Sequence, residues 1–110
     1  MRLIHHRHVS LAAGAFVFLL GSAISAAADC ASDLTASQQG LERTRAAVAA
    51  SATSAEAQKC AAHRRYYAAL VKVREVFTRC DTGAQKGSHA AQLTATIDDF
   101  KTKMPRGCRP

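Results

Sequence analysis

Four cysteines, Cys30, Cys60, Cys80 and Cys108, are spread along a chain of 110 residues. An even number of cysteines in a short exported chain reads as a disulfide framework. Such a framework dictates which distant segments must meet, so it constrains the fold more than any other feature. None of the four has the Cys-x-x-Cys spacing of a redox centre, and zinc-ribbon and twin cysteine-helix spacings are missing as well. Two structural disulfides are therefore expected.

The reading as an exported chain comes from the first 28 residues. Residues 1–8 (MRLIHHRH) hold Arg2, Arg7 and three histidines without an acid, and an apolar run from Val9 to Ile24 follows. Ser25-Ala26-Ala27-Ala28 then supplies the small residues of an A-x-A site before Asp29. A basic start, an apolar stretch and a small-residue site make a secretory signal peptide, with cleavage expected after Ala28. The alternative is an uncleaved anchor, since Val9 to Ala28 is about long enough to span a bilayer. Either way residues 29–110 are exported, to the periplasm or as a secreted protein. The His-rich start is read as leader charge and not as a metal tract.

Removing 28 residues leaves 82, with 13 of the 15 basic residues and all eight acids, a net charge of +5. That length gives one small domain and excludes a multidomain enzyme or receptor. A hydrophobic fraction of 48% and six glycines exclude disorder and collagen, while 5% aromatic content predicts a thin core. Seventeen of the 82 residues are alanine and β-branched runs are absent, which favours helix over strand.

Three helices are expected. Leu34, Leu41 and Val48 recur every seven residues, giving a first helix over about 33–51. Thr53-Ser54-Ala55-Glu56 fits a capping box that starts a second, running to about Arg79. Tyr66, Leu70, Val73, Phe77 and Cys80 share one face of it, and Cys60, Tyr67 and Val71 mark another. Residues 81–87 read as a loop with Gly and Asp turn chemistry. Ser88 is placed to cap a third helix with the stripe Ala90, Leu93, Ile97, Phe100 and Met104, stopped by Pro105. The expected fold is all-α, a small three-helix antiparallel bundle stapled by two disulfides, with residues 1–28 as leader and 29–110 as the single domain.

Helix geometry limits the cysteine pairing. Cys60 and Cys80 on one continuous helix are separated by about 30 Å, whereas bridged Cα atoms come within about 7 Å. That pair is excluded, and Cys30–Cys108 with it. A hairpin turning near Ala52 brings Cys30 to the level of Cys80, and the returning third helix brings Cys108 to Cys60. Cys30–Cys80 with Cys60–Cys108 is the expected connectivity. Cys30–Cys60 with Cys80–Cys108 requires the first or third helix to reverse or break.

Catalytic and metal chemistry find little to work with. Cys60-Ala61-Ala62-His63 places a thiol and an imidazole one turn apart, but a cysteine in a disulfide offers no thiolate. Met104 comes level with His63, a geometry that could suit copper or haem; without a second clustered ligand, His63 is read as a partly exposed helix residue. Asp98 and Asp99 are neighbours on a helix and diverge by about 100°, so they are read as solvated. Nucleophile elbows, phosphate loops and Ser/His/Asp arrangements are not seen. No catalytic residue, metal ligand or cofactor is assigned, and the chain is read as a non-enzyme.

The basic surplus is the most informative remaining feature. Lys59, Arg64, Arg65, Lys72, Arg74 and Arg79 stud the second helix, with Arg43 and Arg45 on the first and Lys101, Lys103, Arg106 and Arg109 near the C-terminus. One reading is a solvated face with cations suited to a helix C-terminus. The functional reading is a surface for lipid head groups, lipopolysaccharide phosphates or an acidic protein. The six second-helix cations are the candidate contacts, with Tyr66 and Tyr67 beside Arg64-Arg65 as a possible amphipathic patch and Tyr66 also suited to the core. Nucleic acid is not an expected partner of an exported chain, and membrane contact is expected only through an uncleaved leader.

Leu34-Thr35-Ala36-Ser37-Gln38 resembles the LTxxQ motif of small periplasmic all-helical stress chaperones. The resemblance covers five residues with three fixed letters, in a single copy, and the four cysteines lie outside that pattern. It implies a helical periplasmic protein that holds unfolded clients. Thr35 and Gln38 also fit a capping box at a helix start. The first expectation remains a non-catalytic binding or structural module, with the chaperone-like role as the alternative.

Overall fold

In a computed structural model of the chain, the backbone is described from residue 12 and side chains from residue 29. The basic stretch MRLIHHRH lies outside the described residues. Three helices occur: α1 (Ala12–Ala50), α2 (Glu56–Cys80) and α3 (Ser88–Lys103). Short 3-10 turns follow at Gly83–Gln85 and Arg106–Cys108. No strand occurs among the described residues. The chain divides into two compact units, Met1–Ala31 and Ser32–Pro110. Within the first, residues 12–31 are helical. The second is a small all-α bundle, as its composition requires.

The bundle is organised around α2, which packs along α3 and against the Arg106–Cys108 turn. Its buried residues are Ala62, Leu70, Val73 and Val76, met by Ile97 of α3 and by Met104 and Cys108 after it. Leu70, Met104 and Cys108 are the largest fully enclosed side chains. Phe100 closes the C-terminal end of α3, edge-on to Tyr66 with ring centres 4.8 Å apart and stacked on His63 at 5.8 Å. Tyr66 is thus half-buried at the edge of the core, against Phe100.

Cys60 is bonded to Cys108 with Cα atoms 5.0 Å apart across 48 residues of sequence. Cys30 and Cys80 are disulfide-bonded too, and no described cysteine is free. Disulfides of this kind belong to an oxidising, exported environment. Among the residues described with side chains, no helix is long and apolar enough to cross a membrane.

Four local expectations are corrected. First, α1 does not begin near residue 33 but continues N-terminally to Ala12, because the alanine-rich segment before it is also a good helix former. Thr35 therefore lies inside the helix and caps nothing. Second, the Thr53–Glu56 capping box is not formed: Ala55 is the N-cap of α2, without a side-chain hydrogen bond. Third, Ser88 does not cap α3; Gly87 does, at φ 85°. A left-handed residue at that joint turns the chain out of the 3-10 segment, and glycine adopts it without a Cβ clash. Fourth, Val76 joins the core although it lies beyond the expected Tyr66–Cys80 face of α2, on the side away from Cys60 and Val71.

Candidate functional site

The six candidate cations of α2 do not form one patch. Arg65, Lys72 and Arg79 follow one another at seven-residue intervals, about 10.5 Å of rise each, so they lie along one stripe. Lys59, Arg64 and Arg74 point elsewhere, because they stand six, one and nine residues from Arg65 and so are turned by about 120°, 100° and 180° around the helix.

Those off the stripe are committed within the fold. Arg64 donates from Nε to the carbonyl of Cys108 at 3.1 Å and from a terminal nitrogen to that of Gly107 at 3.3 Å. Arg74 donates to the Thr94 hydroxyl at 3.3 Å, tying α2 to α3. Lys59 sits 3.5 Å from Glu56, one turn earlier. On the stripe, Arg79 pairs with Asp33 of α1. Both partners are more than half exposed, so the pair contributes at most about 1 kcal/mol. Arg65 and Lys72 are exposed and make no ion pair or hydrogen bond to the other described residues.

The stripe borders a cleft of about 320 Å³ between α1 and α2. Its α1 wall is small, with Ala36, Ser37 and Gly40 above Asp33; its α2 wall carries Ala69 and Val76 between Lys72, Glu75 and Arg79. Ser37 is buried, and its hydroxyl donates back to the Leu34 carbonyl at 2.9 Å. The wall is thereby left without a spare donor at that point. Two cations, Lys72 and Arg79, and two carboxylates, Asp33 and Glu75, line the cleft, but only Arg79 and Asp33 are paired.

Other candidate groups fall as follows. His63 is half-buried, with Nδ1 2.7 Å from the carbonyl of Lys59; Met104 is enclosed in the core. Groups of three or more His, Cys, Asp or Glu able to hold a metal are absent among the described residues. Asp98 and Asp99 are exposed, and Asp99 pairs with Lys103 at 2.7 Å. Interaction with the Tyr66 hydroxyl, and then with the Glu42 carboxylate, raises the pKa of Arg45 of α1 above the ordinary arginine value.

At the stapled end, the C-terminal cations come to α2. The Cys60–Cys108 bond and the Arg64 hydrogen bonds hold the Arg106–Cys108 turn against the helix. Arg109 in turn donates to the carbonyls of Met104 and Thr102, at 3.2 and 2.9 Å. Sequence reasoning could not have separated Arg64 from Arg65, because Arg64's partners lie 43 and 44 residues away. The chain matches no protein-family model, no curated protein and no solved structure.

Proposed function

We propose that this is an exported, non-catalytic binding module that presents a basic helical stripe to an anionic envelope component or an acidic protein. The observation that carries the reading is the pair Arg65 and Lys72. Both are exposed, lie on one stripe and are unmatched by hydrogen bond or ion pair among the described residues. Cations already engaged in a fold must break contacts to bind a ligand, whereas these two need not. The leader is removed after Ala28, and the domain works in the periplasm or as a secreted protein.

The test is co-sedimentation of the disulfide-bonded chain with phosphatidylglycerol vesicles and with phosphatidylcholine vesicles. Basic residues near an anionic surface are each worth about 1 kcal/mol. Reversing both in Arg65→Glu/Lys72→Glu should therefore lower phosphatidylglycerol binding more than tenfold. Binding should also weaken as salt rises. Equal binding of the two vesicle types, or of the reversed variant, would overturn the reading.

The cleft supports a second reading, the chaperone-like one. Ala36 and Ser37 of the Leu34–Gln38 motif face Ala69 and Val76 across an open groove, which suits an apolar side chain of an unfolded client. Suppression of client aggregation that persists in strong salt would favour this role over an electrostatic binder.

A further inference from the structure

On the other side of α2, a second cavity of about 290 Å³ lies where all three helices meet. Leu41, Val73, Phe77 and Leu93 give it apolar walls, Gln38, Gln92 and Thr96 complete the lining, and the His89 ring stands at its border. This ring is held at two points. Its Nδ1 is 2.9 Å from Oδ2 of Asp81, and its face stacks on Phe77 with centres 4.5 Å apart. Asp81 is itself fixed as the C-cap of α2, its backbone N–H donating to the carbonyl of Phe77 at 2.8 Å, and its side chain is only 12% exposed.

A carboxylate only accepts hydrogen bonds, so Nδ1 is the donor, and in the neutral ring Nε2 holds the lone pair. No described residue donates to that nitrogen. The pocket is thus mainly apolar, and His89 on its border offers an acceptor that no described residue uses. At about 290 Å³, and open on one side, it has room for a substituted ring.

We propose that this cavity is a binding site for small hydroxylated aromatics of the phenol class. The ring lies among Leu41, Val73, Phe77 and Leu93, and its hydroxyl donates to Nε2 of His89. Asp81 is a positioning residue that fixes which nitrogen accepts.

The test compares p-cresol with p-xylene on the disulfide-bonded chain. Affinity is read by titration, and the His89 ring resonances, assigned by their loss in His89→Gln, are followed by NMR. Transfer of apolar surface alone favours the xylene, so a preference for cresol reports the hydrogen bond. Cresol is expected to bind about fivefold tighter than xylene and to shift the His89 signals. His89→Phe should erase the preference, and Leu93→Phe, which fills the cavity from α3, should abolish binding of both.

Equal or weaker binding of cresol overturns the proposal, as does binding that leaves the His89 signals unmoved or survives Leu93→Phe. If His89→Phe does not fold, the Leu93→Phe result and the His89 signals decide the matter alone.

Discussion

The Arg64 guanidinium donates to the carbonyl oxygens of both Cys108 and Gly107, so one side chain of α2 closes the turn that carries the second half of a disulfide. The covalent bond brings the segments together; the arginine sets the turn's orientation and occupies carbonyls left open after α3. Arg64→Met keeps most of the apolar stem and removes the donors. It should cost about 1–2 kcal/mol in urea unfolding with the disulfides intact. An unchanged midpoint would mean that water replaces the guanidinium without loss.

The Cys60–Cys108 bond closes a loop of 48 residues, worth about 4 kcal/mol by loop-closure entropy. The core beside it is thin, and small domains have little stability to lose. Cys60→Ser/Cys108→Ser, and reduction of the native chain, should abolish the cooperative thermal transition in far-UV circular dichroism. A melt unaltered by reductant would show that the helices hold without their staples.

Two glycines should respond to alanine with opposite sign. Gly40 lies inside α1, and a Cβ there would meet nothing closer than an Arg43 nitrogen at 3.9 Å. Gly40→Ala should therefore stabilise by about 0.5–1 kcal/mol through backbone entropy. Gly87 has open space around it but sits at φ 85°. Gly87→Ala should destabilise by about 1 kcal/mol or more. Thermal melts of both variants read the contrast directly, and a stabilised Gly87→Ala would contradict the left-handed joint.

Ile97 and Leu93 belong to one stripe of α3 but differ in burial, Ile97 being 2% exposed and Leu93 half-buried at a cavity edge. Ile97→Ala should cost about 2–4 kcal/mol, as full core truncations do. Leu93→Ala should cost clearly less, since it enlarges a space that is already open. Equal losses in chemical denaturation would mean that the cavity is closed in solution.

Much of the frame was legible because its signals are strong and local. Pro105 cannot continue a helix, and α3 ends at Lys103; the spacing from Leu70 to Phe77 gave α2 its period, and its observed end at Cys80 is one residue from expectation. The cysteine register followed from helix rise alone. Ala62 was missed because, next to Ala61 and near Ala68 and Ala69, one alanine does not mark an apolar stripe, and Val76 because it lies beyond the edge of the expected face, among charged residues. Capping failed at Thr53 and Ser88 since backbone conformation, not side-chain chemistry, chose Ala55 and Gly87. The division of the basic residues was not readable either. Whether an arginine is engaged depends on carbonyls far along the chain, and Asp81 and His89 acquire meaning only when α2 and α3 form their hairpin.

The uninterrupted course of α1 through residue 28 has a consequence for maturation. As a whole helix, α1 has no acid in its first turn. Cutting after Ala28 would leave a helix that starts at Asp29, its carboxylate at the positive end of the backbone dipole beside the newly made ammonium, and Asp33 one turn further on. Carboxylates at that end are each worth about 0.3–1 kcal/mol. Processing would thus trade a start with no compensating charge for one that carries its own counter-ion.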